Sequence, residues 1–277
     1  MNLFWKHFVA VIAALSSGAT LFTILFNVEW LQDKWYYGVL GMIFIILFSL
    51  CYAYWQTKSK VEIILELSSK LKLTISEGDI FNKKGVICIP FNEYFDTHVG
   101  DGVVDEKSIH GLFINKYFRD RIPELEEKIR KGLENIKCEQ TDRHFKGCPT
   151  EKYPLGTTVD IRDGENLYVL FALTHFDNND KAYVSRIEYN EVITNLMKHI
   201  TKVVGGRSVY MPLIGAGLSR LQRTPQRILY QIISILDFDN SIIVPGGVNV
   251  VIKSLKKENI NLTLLEHIVK NGIIKES

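Results

Sequence analysis

The chain has 277 residues, with 33 basic and 31 acidic side chains and a net charge of +2. That balance leaves no basic footprint for nucleic acid, so no nucleic-acid partner is expected. The length suits one domain of about 200 residues plus an appendage. Its four cysteines, Cys51, Cys88, Cys138 and Cys148, are scattered and read as reduced thiols rather than a disulfide scaffold. Cys51 and Cys88 lie in apolar runs and are expected as small core residues. Cys138 and Cys148 flank His144, which has the residue types of a zinc site but no Cys-x-x-Cys pair; loop thiols are the simpler reading.

The apolar residues concentrate at the start. Residues 8–26 and 36–55 carry no charge. Each run is about 20 residues, long enough as a helix to cross a hydrocarbon core about 30 Å thick. Trp30, Trp35, Tyr36 and Tyr37 lie between the runs, and Tyr52, Tyr54 and Trp55 close the second, as in an interfacial belt. Lys6 precedes the pair, Lys58 and Lys60 follow it, and the connection holds Glu29, Asp33 and Lys34. The positive-inside rule then predicts a multi-pass anchor with both ends cytoplasmic. A cleaved leader ending near Ala14-x-Ser16 is the competing reading of the first run, and the second run argues against it. Ala13 with Ser17, and Ala14 with Gly18, have small-xxx-small spacing, which fits packing inside the hairpin or self-association.

The pattern predicts a linker helix over 57–71, with Val61, Ile64, Leu65, Ser68 and Leu71 along one face. Strands are predicted over 72–75, 84–91, 156–161, 166–174, 209–212 and 248–252. Helices are predicted over 104–117, 123–136, 188–200, 224–236 and 262–270, and a polar surface loop over 137–153. Strands alternating with helices, several strands wholly apolar, predict an α/β fold: a mixed sheet with helices on both faces. The expected division is a transmembrane hairpin over 1–56, a linker helix over 57–72 and one domain over 73–277.

Three loops after strands carry the chemistry. Glu77-Gly78-Asp79-Ile80 offers a carboxylate that can accept an exocyclic amine. Residues 92–103 offer the Asn92 amide and the glycines of Gly100-Asp101-Gly102. Pro212-Leu213-Ile214-Gly215-Ala216-Gly217-Leu218-Ser219 runs from an apolar strand towards a helix whose Thr224-Pro225 suits N-cap and first position. Strand, glycine loop and helix start make a cradle for phosphate. No lysine follows the glycines as a mononucleotide P-loop requires. Arg220 and Arg223 flank this loop and read equally well as phosphate partners or as exposed side chains. His98, His110 and His175 read as loop or packing residues.

The order and spacing of these pieces resemble the macro domain, a module that binds ADP-ribose. Gly78-Asp79-Ile80 is similar to that family's Gly-Asp-Ile, whose Asp holds adenine. Ile89-Pro90-Phe91-Asn92 stands where the family has Asn-Ala-Ala-Asn, whose last residue faces the distal ribose. Val99-Gly100-Asp101-Gly102-Val103 stands at its first phosphate loop and Pro212 to Gly217 at its second. The resemblance implies ligand contact at Asp79, Ile80, Asn92, Gly100, Asp101, Gly102 and Val103, and at Ile214, Gly215, Ala216, Gly217, Leu218, Ser219 and Arg220. It implies no catalytic residue, no cofactor and no metal. With the hairpin and with Tyr153-Pro154-Leu155-Gly156-Thr157-Thr158, the chain resembles the membrane-anchored macro-domain effectors of type II Thoeris anti-phage systems. That implies a receptor in the bacterial inner membrane. Its signal is an ADP-ribose conjugate, histidine-ADP-ribose, made by a partner TIR enzyme. Its action is homo-oligomerisation and disruption of the lipid bilayer. The replacement of the first two Asn-Ala-Ala-Asn residues by Ile89-Pro90 and the short Gly-Asp-Gly loop depart from the family and argue against hydrolysis. Asp101 repels a diphosphate unless it points away or meets a cation. The alternatives are a membrane-tethered ADP-ribosyl hydrolase, using Asn92 with Asp101 or Asp105, and a passive scaffold.

Overall fold

The computed structural model describes residues 3–26, 35–142, 147–176, 181–217 and 221–272, and divides the chain into two compact units. One holds the described parts of Met1–Lys60 and Leu262–Glu276; the other is Val61–Asn261.

The first unit contains α1 (Leu3–Phe26) and α2 (Trp35–Thr57), which pack against each other, and the C-terminal helix α7 (Leu262–Gly272). Both α1 and α2 are long and apolar enough to cross a membrane. Lys34 and the aromatic Trp30 of the expected belt lie outside the described residues. Ser49 and Ala53 are the fully buried positions of α2, a small-xxx-small pair on the second helix. Ala13, Ala14, Ser17 and Gly18 of α1 stay exposed, so packing within this unit leaves that small-residue face open. Cys51 is exposed on α2 rather than in a core, because its helical position falls off the closed Ser49/Ala53 face. At the end of α2, the Thr263 hydroxyl donates to the Lys58 carbonyl at 2.7 Å and accepts from the Lys60 N–H at 3.2 Å. Lys60 Nζ meets Glu266 at 2.5 Å. The expected division assigned this last helix to the soluble domain; here it groups with the hairpin.

The second unit is a sheet with helices on both faces. It opens with β1 (Glu62–Ser68), β2 (Leu71–Glu77) and β3 (Val86–Asn92), followed by α3 (Ile109–Tyr117) and α4 (Ile122–Leu133). The ribbon β4 (Glu139–Gln140) and β5 (Glu151–Lys152) comes next, then β6 (Thr158–Asp163), β7 (Asn166–Phe176) and β8 (Ala182–Tyr183). Helix α5 (Arg186–Val203), β9 (Val209–Pro212), α6 (Pro225–Phe238) and β10 (Val244–Ile252) complete it. The strand order is β1-β2-β10-β9-β3-β7-β6, with β8 beside β7. The five inner strands run parallel, and β1 and β6 flank them antiparallel.

The predicted linker helix is therefore wrong. Residues 62–68 form an edge strand in which Ile63 and Leu65 are buried while Glu62, Ile64 and Glu66 face out. Pairing with β2 rewards a two-residue alternation, and Ile63 is lost to the core in the helical reading. The predicted loop over 137–153 likewise contains the short β4–β5 ribbon.

The remaining elements follow the sequence pattern with shifted ends. Ile87, Ile89 and Phe91 of β3 join Tyr168, Leu170 and Ala172 of β7 in a core closed by Phe113, Leu125 and Ile129 from α3 and α4. The alternate residues Val86 and Cys88 are equally buried on the other face, where α5 and α6 contribute Val192, Leu196, Ile228 and Ile232. Burial on both faces is why these strands read as continuous apolar runs. Cys88 is the core thiol expected, and burial raises its pKa beyond the normal thiol range.

Candidate functional site

Parallel pairing fixes where the loops go. Strands β2, β3, β7, β9 and β10 all end at one edge of the sheet, so the loops after β2, β3 and β9 emerge together there. Ligands of open α/β sheets gather at this carboxyl edge. The three loops singled out in the sequence thus share one edge, although the third lies more than a hundred residues after the second.

Asp79 caps a single 3-10 turn. Its Oδ1 accepts from the Phe81 N–H at 2.9 Å and its side chain is otherwise exposed. Ile80 beside it is buried. Phe81 lies against Tyr117, and the Tyr117 hydroxyl donates to the Phe81 carbonyl at 3.0 Å.

Asn92 is 5% exposed and engaged in its own turn. Its Nδ2 group donates to Asp96 Oδ2 at 2.8 Å, and its Oδ1 accepts from the backbone of Tyr94 at 3.1 Å and Asp96 at 3.3 Å. The side chain holds the exit from β3. Asp96 is itself buried, and its carbonyl accepts from His110 Nε2–H at 2.8 Å. Burial pushes the His110 pKa down to about 3, so this histidine is neutral and packs as expected.

Downstream, residues 99–104 close on themselves. The Gly100 N–H donates to the Val104 carbonyl and the Val103 N–H to the Gly100 carbonyl, both at 2.9 Å. Gly100, Asp101 and Gly102 all have positive φ, at 106°, 48° and 80°. Three left-handed residues in succession turn the chain tightly and leave Val103 buried. The Asp101 side chain is 87% exposed and accepts from His98 Nε2–H at 3.0 Å. The charge that the sequence left unexplained is turned outward and paired.

The loop after β9 is supported differently. Gly215 has φ 90°, and a Cβ there would lie 2.9 Å from the Tyr189 ring and 3.3 Å from Leu221. The Tyr189 hydroxyl donates to the Ile214 carbonyl at 2.9 Å. Ile214 is buried, while Ala216 and Gly217 lie nearer the surface. Among the described residues, nothing stands within 4 Å of a Cβ at Gly217. Leu218, Ser219 and Arg220 lie outside the described residues. Arg223 lines a cavity between α5 and α6.

Sequence reasoning missed a polar cluster at the same edge. Glu93, fully buried and next to Asn92, meets His175 Nδ1 and accepts from the Phe176 N–H at 3.0 Å. Lys152 Nζ stands 3.4 Å from the same carboxylate. The other ring nitrogen of His175 lies 3.1 Å from Glu188 in the first turn of α5. The hydrogen bond to Glu93, with the Glu188 contact behind it, raises the His175 pKa. A signal for part of this was available. Ser185-Arg186-Ile187-Glu188 is a capping box, and the structure has both of its reciprocal hydrogen bonds. Reading it would have started α5 at Ser185 and set Glu188 and Tyr189 in its first turn.

Comparison with known proteins agrees with this architecture. The family described as "Thoeris protein ThsA, Macro domain" matches residues 73–253. The chain belongs to the ThsA macro-domain family. Thoeris protein ThsA of Bacillus amyloliquefaciens (strain Y2) is 31% identical over 153 residues, which are 54% of this chain and 50% of that protein. The chain thus spans about half the length of the curated relative it matches. Among solved structures, a glycine-to-valine mutant of the Oceanobacillus iheyensis macrodomain with ADPR superposes with a TM-score of 0.52 at 14% identity, covering 76% of this chain and 99% of that one. The same macrodomain with ADP gives 0.53 at 13% identity, covering 76% and 97%. These two likenesses bear on the fold: this is a macrodomain-like mixed sheet, preceded by two apolar helices that fit a membrane-anchored ThsA form.

Proposed function

We propose that this ThsA-family protein is a membrane-bound effector of anti-phage defence. Its macro domain binds an ADP-ribose-derived signal, histidine-ADP-ribose, produced by a partner TIR enzyme. Occupancy drives self-association, and the spans then disrupt the inner membrane. The soluble domain and both ends lie in the cytoplasm. The ligand is held by Asp79 and Ile80, by the turn from Asn92 to Val103, and by the loop from Ile214 through Arg220. Asn92 acts mainly by shaping the first loop, since its amide is occupied within its own turn.

The observation that carries this reading is the presence in one chain of a ThsA macro-domain sequence and two helices of spanning length and hydropathy. The exposed small-residue face of α1 supports self-association, because it offers a close-contact surface that the hairpin does not use. The ties from α7 to Lys58 and Lys60 support transmission, because they fasten the end of the second span to the segment that follows the macro domain. For a switch of this kind, ligand must bind the active arrangement better than the resting one. Receptor action is favoured over hydrolysis by the engaged Asn92 amide and by the outward Asp101 paired with His98.

The test is the full chain reconstituted in dye-loaded anionic liposomes. Histidine-ADP-ribose is expected to bind saturably and to release dye, ADP-ribose alone to do so weakly, and neither to be turned over. Binding without leakage would overturn the membrane step. Steady release of ADP-ribose from an ADP-ribosylated peptide would favour the hydrolase instead.

A further inference from the structure

We propose that the C-terminal helix α7 docks on the lipid surface at the end of α2, with Leu264 and Ile268 among the acyl chains just below the headgroups. This rests on the reading of α1 and α2 as a membrane anchor. The apolar residues of α7 are Leu262, Leu264, Leu265, Ile268 and Val269. At 3.6 residues per turn they form one continuous arc of about 160°. The protein covers part of that arc. Leu262, Leu265 and Val269 are fully buried, whereas Leu264 and Ile268, one turn apart, are 39% and 45% exposed. Thr263, Glu266 and Lys270 occupy the opposite side of the helix.

The polar side sets the level at which this helix lies. Thr263 bonds the Lys58 carbonyl and the Lys60 N–H, and Glu266 meets Lys60. Lys58 directly follows Thr57, the last residue of α2. A helix pinned one residue past the end of a span starts at the bilayer surface, so lipid is the apolar medium beside its open edge. Tyr54 and Trp55, both exposed near the end of α2, are the residue types that mark this level. Charge agrees. Lys58, Lys60 and Lys270 are exposed, and Glu266 is the only acidic side chain among the described residues of this unit. Positive charge beside an apolar edge suits anionic headgroups, and a lysine stem can lie along lipid while its ammonium stays in water. An amphipathic helix so placed lies in the interface plane, its apolar face about 5–10 Å into the headgroup and acyl boundary.

The segment leading into α7 begins at the candidate site. The Gly78 N–H donates to the Ile252 carbonyl at 2.8 Å, and the Leu255 N–H to the Glu77 carboxylate at 2.9 Å. Glu77 and Gly78 directly precede Asp79. A ligand that shifts the Asp79 loop therefore shifts the chain that runs on to α7, and a lipid-docked α7 passes that shift to the bilayer. By reciprocity, docking of α7 alters ligand affinity.

The test places nitroxide labels on the full chain in vesicles of phosphatidylcholine and phosphatidylglycerol. Cys51, Cys138 and Cys148 are first replaced by serine; Cys88 is buried and stays. Single cysteines are then introduced by Leu264→Cys and, separately, Ile268→Cys. Ile187→Cys, an exposed apolar position of the macro domain, is the water-facing control, and Leu47→Cys, exposed on α2, reports the span. Each label is relaxed by oxygen, which concentrates in acyl chains, and by a water-soluble nickel chelate. The oxygen-to-nickel ratio at 264 and 268 is expected to exceed that at 187 several-fold and to fall below that at 47. A ratio at 264 or 268 no higher than at 187 would overturn the proposal. Dipolar broadening that disappears on dilution with unlabelled protein would then assign the face to a second copy, and its absence would leave the face in water. A low ratio at 47 would mean that the anchor reading itself fails; a high ratio at 47 with low ratios at 264 and 268 would remove the docking of α7 alone.

Discussion

The two glycine loops look alike in sequence and are held in opposite ways. Gly100-Asp101-Gly102 is self-contained: backbone hydrogen bonds between Gly100 and its neighbours Val103 and Val104 close it, and its one charge pairs with His98 three residues away. Gly215-Ala216-Gly217 rests on another element. Tyr189 from α5 fixes the Ile214 carbonyl and fills the space behind Gly215. A loop shaped by its own backbone tolerates changes elsewhere. A loop shaped by a neighbour transmits them. The second loop is therefore the better candidate for the moving part of a switch.

The sharpest way to break that contrast is Gly217→Glu. Gly217 has no positive φ, and among the described residues none lies within 4 Å of its missing Cβ, so folding is expected to be unaffected. The added carboxylate stands where a diphosphate is proposed to lie. Affinity for ADP-ribose is expected to fall by about a hundredfold or more, from charge repulsion and lost room. Calorimetry on the full chain decides it, with an unchanged melting temperature as the control. Unchanged affinity would remove this loop from the site.

Next in size is Gly215→Ala. Its φ of 90° disfavours any side chain, and the new Cβ meets the Tyr189 ring at 2.9 Å. The expected cost is about 1–3 kcal/mol of stability, together with weaker ligand binding. Gly100→Ala in the first loop carries a like backbone penalty at φ 106°, and the nearest atom to its new Cβ is the flexible Glu106 carboxylate at 4.0 Å. It should therefore lose stability but retain more binding. If both variants lose binding equally at matched stability, the two loops are supported alike and the comparison fails.

How much of this was legible beforehand differs by level. The sheet was readable because β3 and β7 are buried on both faces and so carry unbroken apolar runs, and because Thr224 marks a helix start. The segment over 62–68 was not. Val61, Ile64 and Leu65 satisfy a helical period locally, and only pairing with β2 shows that Ile63 and Leu65 point inward. At the site, glycines and Asp79 announced themselves, since few residue types serve left-handed turns and caps. Their supports did not. Tyr189 comes from an element far away in sequence, as does His175, the partner of Glu93, and no local pattern says that a tyrosine in α5 will underlie a glycine 26 positions later. The role of Asn92 could not be read either, because its hydrogen bonds to residues 94 and 96 depend on a turn that only the folded loop reveals.

His175 joins the bases of the two loops, and its titration tests whether they behave as one unit. The ring bridges Glu93, which follows β3, and Glu188, which precedes Tyr189 in α5. Lys152 stands by the Glu93 carboxylate and Tyr183 packs on the ring. The folded pKa is raised above the ordinary 6.5 by the carboxylates. A raised histidine pKa gives stability that is fully present below the unfolded value and is lost as pH rises through the folded value. The melting-temperature gap between native protein and His175→Gln is therefore expected to be widest near pH 6 and to narrow towards pH 9. A gap that widens with pH would mean that the imidazolium is not the stabilising form. If the two loops share this clamp, ligand affinity follows the same pH course.

The smallest expected effect belongs to Asp101→Asn, and it bears on the self-contained loop. Asp101 is almost fully exposed and its partner His98 is more than half exposed, so removing the pair leaves the fold as it is. The positive φ at position 101 is kept, because asparagine tolerates the left-handed region as well as aspartate does. What changes is one negative charge near a proposed diphosphate. Outward orientation and solvent screening limit its repulsion, so affinity for ADP-ribose should rise only about two- to threefold at low salt and by nothing measurable at 0.5 M, where the Debye length is about 4 Å. A tenfold gain would mean that Asp101 turns inward when ligand binds. The first loop would then rearrange on binding too, and the division between a fixed loop and a supported one would have to be given up.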